Sequence, residues 1–461
     1  MSALILISVL GVVVLYLGLF SGSRSGKALL APVAVIGLLG ALALSITKWH
    51  MDVPMFGGMV QFDAVSIAFN CALVVITMLI FLFGIDYYER MTDHVAEHYA
   101  LMLFSLVGGF LLTSYTNLLV LFLGIEILSI PLYILAGGKK KSLRSGEASF
   151  KYFLLGSFAT AFFLMGIALI YGVTASFDLA RVQEYASTNA EHPHMLFVLG
   201  LFFAVVGLSF KVAAAPFHFW SPDVYEGAPT LVTAFMSTVV KTAAFAAFYR
   251  FVSLTALPAA LMQALLVMTV VTLLVGNIVA LRQSNFKRLM AYSSIAHSGF
   301  LLMALLSGSV MTAQVLFYYT FTYALATVGL FIILTLAKRA ANGNESIDIF
   351  RGLFRANPWL AIVTMVLLLS LAGIPLTAGF VAKYQVFLLA IGAGFIKVSV
   401  FAVVMALVGI YYYVLVIREA FTPAEDGRSP VLVVTPLNWL VITLCGLSAL
   451  LFGAMPWLVS I

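Results

Sequence analysis

Charge is scarce in this 461-residue chain: Asp, Glu, Lys and Arg together make up 9% of it, against roughly 25% in an ordinary soluble domain. Hydrophobic residues fill 63%, and mean hydropathy is +1.12. That excludes a soluble globular fold and implies an integral membrane protein. Cysteine is nearly absent. Cys71 and Cys445 lie far apart in apolar runs, so neither a disulfide framework nor a zinc or iron–sulfur ligand set is at hand. Of seven histidines only His297 lies well inside an apolar segment, which disfavours a haem held between facing helices. No Gly-rich loop follows a strand and opens a helix, so nucleotide binding has no motif to rest on.

What the chain has is long apolar runs. The opening "MSALILISVLGVVVLYLGLF" lacks a basic leader and a small-residue cleavage site, and reads as a first span. At about 20 apolar residues per crossing, further spans fall near 28–48, 66–84, 99–115, 117–136, 148–172, 195–220, 229–250, 258–281, 288–306, 311–337, 358–391, 395–417 and 434–455. The expected fold is an all-α integral membrane protein of about 14 transmembrane helices.

Loop charge sets the orientation. With the N-terminus outside, the inward loops hold Arg24, Lys27, Arg90, Lys139, Lys140, Lys141, Arg144, Arg282, Lys287, Arg288, Lys338, Arg339, Arg351, Arg355, Arg418 and Arg428. The outward loops hold only Lys48, Arg181, Arg250 and Lys397. The positive-inside rule therefore places both termini outside, which in a bacterial plasma membrane is the periplasmic side. The net charge of +6 is a topology signal and leaves nucleic acid little to explain. The run Lys139 to Arg144 reads as an anchor to lipid headgroups.

Four lysines remain, Lys151, Lys211, Lys241 and Lys383, all inside spans. Intramembrane charge costs on the order of 2.5–3.5 kcal/mol per group and by default faces the bundle interior with a task. Glu126, tenth in its span, is too deep to snorkel. Lys211 and Lys383 share their spans with helix breakers, Pro216 in one and Gly373 with Pro375 in the other. Broken backbone at that depth needs polar neighbours or water. His297, with Tyr292, Ser293 and Ser294 beside it, reads either as a satisfied core histidine or as part of a wet path. Glu147 and Lys151 form an i,i+4 pair that either snorkels or serves the same path. "LSFKVAAAP" at Leu208 to Pro216 echoes "LSLAGIP" at Leu369 to Pro375 across five spans, an odd number that inverts one relative to the other. Two inverted five-helix repeats, helices 4–8 and 9–13 with helices 7 and 12 broken, follow from this. The division is 1–98 (helices 1–3), 99–251 (repeat 1), 258–418 (repeat 2) and 434–461 (last helix).

Three stretches, "KVAAAPFHFWSPDVYEGAPT", "NFKRLMAYSSIAHSGFLL" and "LSLAGIPLTAGFVAKY", resemble the antiporter-like membrane subunits of respiratory NADH:quinone oxidoreductase, complex I. The resemblance covers nearly the whole chain. It implies a proton-translocating subunit that couples quinone reduction elsewhere to proton transfer along a mid-membrane polar axis. The family's axis falls on Glu126, Lys211, Lys241 and Lys383, and its helix 6 pair on Glu147 and Lys151; His297, with water, is the expected relay between Lys241 and Lys383. His218, Tyr292, Ser293 and Ser294 are accessory candidates. The resemblance further implies no metal and no cofactor in this chain. NADH, FMN, iron–sulfur clusters and quinone are then held by partner subunits, and its partners are a neighbouring antiporter-like subunit, small membrane subunits and lipids. The alternative is a subunit of a multi-component monovalent cation/proton antiporter, and a third reading is a charge-transmitting scaffold that conducts nothing.

Overall fold

In the computed structural model, residues 2–20, 24–49, 53–89, 94–255, 257–424 and 432–460 are described. Of the basic residues used for orientation, Arg90 and Arg428 lie outside them, as do the side chains of Arg24 and Lys27. In chain order the α-helices are α1 (Ser2–Phe20), α2 (Arg24–Ile46), α3 (Ala64–Glu89), α4 (Val95–Ser114), α5 (Leu118–Ala136), α6 (Leu143–Thr174), α7 (Leu179–Thr188), α8 (Met195–Lys211), α9 (Trp220–Gly227), α10 (Thr230–Phe235), α11 (Lys241–Thr255), α12 (Ala259–Ala280), α13 (Phe286–Leu305), α14 (Thr312–Ala340), α15 (Leu353–Ala356), α16 (Pro358–Ala372), α17 (Ala378–Gly392), α18 (Ile396–Phe421) and α19 (Pro436–Ala454). Among the described residues, eleven helices are long and apolar enough to cross a membrane.

Helix is the expected answer to lipid, because only helices and closed barrels satisfy every backbone group internally. The exceptions are the sequence's two broken spans. α8 ends at Lys211, and the chain then runs without regular helix to α9; Ala215–Pro216 is a cis peptide. α16 ends at Gly373, whose φ of +84° closes the helix, with Gly373 N and Ile374 N both donating to Leu369 O at 3.0 Å. At 15 residues each, α16 and α17 reach roughly 22 Å, short of a hydrocarbon core about 30 Å thick. The break between α16 and α17 therefore lies at depth. A third irregularity is a π-turn, Met236–Val240, joining α10 to α11 immediately before Lys241. The most apolar 18 residues of Thr230–Thr255 are all buried, and those of α14 nearly so, which makes these two the innermost elements.

Three short helices lie outside the expected spans: α9, α15 and, in the segment around Arg181 read as loop, α7. α7 there is capped by the Asp178 side chain, which accepts from Ala180 N, and buries Leu179, Val182 and Ala186. Its polar, ten-residue length gives no membrane signal. α6 also starts at Leu143, five residues ahead of the expected boundary.

Opposite ends of the bundle are tied separately. At the end assigned outward, the hairpin β1 (Val53–Met55) and β2 (Val60–Phe62) pairs Val53 with Phe62, Val60 bridges to Tyr115, and Arg250 pairs with Asp63. At the end assigned inward, Arg339 pairs with Asp86, Lys338 and Lys287 with Glu345, and Arg351 and Arg418 with Glu419. Among the described residues, each of these pairs joins groups that the alternating topology assigns to one side.

Candidate functional site

Three buried lysines run through the interior, and each ends on a hydroxyl or on a carbonyl of a broken helix. Among the described residues none of them forms an ion pair within 4.0 Å.

Lys211, 6% exposed, is the last residue of α8. Its Nζ donates to Ser129 Oγ on α5, and it lies 5.7 Å from the Tyr133 ring and 5.9 Å from those of Tyr152 and Phe210. Aromatic faces attract a cation without neutralising it. Glu126 sits on the same face of α5, three residues from Ser129, but its carboxylate accepts from Thr160 Oγ1 on α6 at 2.8 Å. Glu126 and Lys211 thus each rest on a hydroxyl of a different helix. His218 lies in the break with its ring on Phe219 and a buried Nδ1 that has no protein partner.

Lys241, 3% exposed, opens α11 after the π-turn. Its Nζ donates to Ser294 O and Ser294 Oγ, and to Ser298 Oγ at 2.8 Å. Ser298 Oγ in turn donates to Val212 O, the first carbonyl of the break after α8, at 2.6 Å. The rest of that break is held by Ala215 N donating to Thr272 Oγ1 at 2.9 Å and Trp220 Nε1 donating to Phe210 O at 3.0 Å.

His297, on α13, stands between Lys241 and Lys383. Its Nδ1 is 2.7 Å from Tyr319 OH and its Nε2 3.1 Å from Tyr413 OH, and Tyr413 OH also meets Ser293 Oγ. A small cavity lined by His297, Tyr319, Tyr323, Ser370, Leu371 and Gly379 leads from it to the α16–α17 break. There Lys383 Nζ donates to Ala372 O at 2.7 Å and Leu371 O at 3.1 Å, with the Phe300 ring 5.0 Å away. These are carbonyls left free where α16 ends, the negative pole of a half-helix. Gly373 permits the approach: a Cβ there would stand 2.8 Å from Lys383 Cδ and 3.3 Å from Nζ. Tyr292 is half-buried and takes no part in these bonds. Among the described residues the buried hydroxyl of Tyr152, beside the axis, has no protein partner, and polar groups at such burial are ordinarily satisfied by water.

Toward the inward end the Glu147–Lys151 pair proves part of a larger cluster. Lys151 Nζ is 2.7 Å from both Glu147 and Asp223; Arg288 Nη1 is 2.7 Å from Asp223 and 3.1 Å from Glu226. Asp223 thereby ties α9 to α6 and α13. Nearby, Glu345 sits between Lys287 and Lys338; burial raises its pKa, but these two ammoniums outweigh that and hold the carboxyl below its ordinary range. Lys139 is pushed down to about 8 by burial and by Lys338. Among the described residues no group of three His, Cys, Asp or Glu is placed to hold a metal ion.

Ser129, Thr160, Ser298, Tyr319 and Tyr413 escaped the sequence reading. Each is an ordinary hydroxyl on a helix that meets the axis only after folding. Asp223 and Arg288 stand in quoted motifs, yet nothing in their spacing pairs them with Lys151.

Residues 115–409 match the family described as NADH:quinone oxidoreductase/Mrp antiporter, TM. NADH-quinone oxidoreductase subunit N from Cytophaga hutchinsonii is 42% identical over 428 residues, covering 92% of this chain and 91% of its own. Subunit N is also what the wording of Pro216 to Pro229 resembles most. A chain of respiratory complex I from Thermus thermophilus, solved with bound aureothin, superposes with a TM-score of 0.82 at 35% identity, covering 99% of this chain and 98% of its own. A chain of the Mrp complex from Dietzia sp. shares the fold at 20% identity, with a TM-score of 0.82 and 99% and 96% coverage.

Proposed function

The chain belongs to the NADH:quinone oxidoreductase/Mrp antiporter family of membrane subunits, and from that premise we propose how it acts as a proton-translocating membrane-arm subunit of NADH:quinone oxidoreductase. The observation that carries the mechanism is the set of three buried lysines without carboxylate partners, each seated on a hydroxyl or a broken-helix carbonyl. Burial opposes an ammonium, while hydroxyl and carbonyl acceptors favour it, so small movements of those acceptors decide whether a lysine keeps its proton. Among the described residues, Glu126 is the intramembrane carboxylate within electrostatic reach of Lys211. A shift that turns its charge toward Lys211 loads that lysine, and a shift away unloads it. Lys241 and His297, with water, relay the proton, and Lys383 passes it on at the second break. Asp223 holds α9, and through it the first break, against α6 and α13.

Fourteen crossings follow if the two halves on either side of each break count as one span and α13, too polar to score as a span, is added to the eleven. Two inverted five-helix units, termini on the periplasmic side of a bacterial inner membrane, and cofactors confined to partner subunits complete the proposal. The same-side grouping of the ion pairs supports the alternation on which this topology rests.

The cation/proton antiporter alternative draws on the shared fold. Affinity purification through this chain separates the two: flavin- and iron–sulfur-bearing subunits should co-purify, and NADH should acidify inverted vesicles. Sodium/proton exchange dependent on this chain in membranes without NADH would favour the alternative instead.

A further inference from the structure

We propose that Ser298 is a positioning residue that ties the proton state of Lys241 to the break after α8, beside Lys211. The proposal rests on the proton-translocating function above. Ser298 is fully buried on α13. Its Oγ lies 2.8 Å from Lys241 Nζ, 2.6 Å from Val212 O and 3.1 Å from Ser294 O. A hydroxyl has one proton to give, and an ammonium has protons only. While Lys241 is charged, Ser298 must accept from it, which commits the Ser298 proton to a carbonyl, and Val212 O is the nearer.

When Lys241 passes one proton to the relay, its nitrogen gains a lone pair. Ser298 can then turn its own proton onto that amine, keeping its O–H bond intact, and Val212 O loses its donor. A buried carbonyl without a partner is disfavoured, so the break moves toward an arrangement that satisfies it. Val212 directly follows Lys211 in the chain, so discharge at Lys241 is felt where Lys211 leaves its helix. Ser294 also holds Lys241, yet its side chain does not reach the break, which makes it the natural control. Among the described residues, Tyr323 of α14 faces Lys241 with its ring 5.9 Å from Nζ, Tyr225 of α9 stands beside Ser294, and His297 lies within electrostatic reach. His297 is bonded to Tyr319 and Tyr413.

The test measures NADH-driven proton uptake in inverted vesicles, divided by NADH oxidation and compared at equal complex assembly. Ser298→Ala should cut the ratio to less than about half, Ser298→Thr should restore most of it, and Ser294→Ala should stay above Ser298→Ala. In a Lys241→Ala background, Ser298→Ala should cost nothing further, because residues acting as one unit are non-additive. Should Ser298→Ala fail to assemble, Ser298→Cys carries the test, since a thiol is a weak donor of similar size. A wild-type ratio in Ser298→Ala or Ser298→Cys overturns the proposal, as do multiplicative losses with Lys241→Ala or an assembled Ser298→Thr that does not recover. If Lys241→Ala itself pumps normally, the function proposed for the axis fails; if Lys241→Ala is inactive and Ser298→Ala is not, only the Ser298 coupling fails.

Discussion

Replacing Gly373 by alanine should stop proton transfer at Lys383 while leaving the protein folded. Two costs arise, and they differ in size. The backbone stands at φ +84°, and an L-residue in the left-handed region costs about 1–2 kcal/mol. The new Cβ would lie 2.8 Å from Lys383 Cδ and 3.3 Å from Cε and Nζ, so the lysine must leave Leu371 O and Ala372 O. Hydrogen bonds to a charged group contribute about 1.5–3 kcal/mol each, so losing both removes roughly 3–6 kcal/mol from the seated ammonium. The second term exceeds the first and falls on function. Proton uptake by inverted vesicles should drop at least about fivefold at normal assembly. Gly373→Asn separates the terms, because asparagine tolerates the left-handed region but still carries a Cβ. Asn at this position should pump as poorly as Ala. Recovery in Gly373→Asn, or full pumping in Gly373→Ala, would refute the reasoning.

Three further outcomes are expected. Glu126→Asp should keep part of the pumping that Glu126→Ala loses, whereas Lys211→Arg should keep none, since a guanidinium does not deprotonate; additive losses in the Glu126→Ala, Lys211→Ala double variant would show that the two do not act together. Asp223→Asn breaks two half-exposed pairs worth about 0.2–1 kcal/mol each, so assembly on a native gel should hold while pumping falls partway, and unchanged pumping would remove α9 tethering from the account. Glu345→Gln strands Lys287 and Lys338, a loss on the order of 3 kcal/mol for a mostly buried group. Because the folded carboxyl titrates below its ordinary range, its contribution is present above the unfolded carboxylate pKa and fades as pH falls through the lower folded value. Thermal unfolding of the complex should therefore separate wild type from Glu345→Gln at neutral pH and converge on acidification, and a gap that widens in acid would contradict the assignment.

Much of this was legible beforehand. A proline five residues after Lys211 and a glycine–proline pair ahead of Lys383 mark the breaks, because backbone geometry is a local property of sequence. Charge in an apolar run likewise marks Glu126, Lys241 and Lys383, because hydrocarbon makes such residues conspicuous. Their partners were not legible. Ser129, Thr160 and Ser298 look like any helix hydroxyl, and only packing brings α5 to α8, α6 to α5 and α13 to α11. For the same reason the hydroxyl partners of Glu126 and Lys211 appear only in the folded chain. The Glu147–Lys151 pair is visible at i,i+4 spacing, but Asp223, which binds the same lysine, lies 72 residues away. The π-turn before Lys241 has no breaker residue to announce it.

The central claim is that protons cross on lysines that surrender their charge. Lys241→Arg tests it most directly, since Lys241 is 3% exposed among serine partners and arginine keeps the charge without giving up a proton. With complex assembled at wild-type levels, proton uptake and NADH oxidation are recorded together in inverted vesicles. The predicted result is uptake per NADH below about a tenth of wild type; a wild-type ratio would contradict the account.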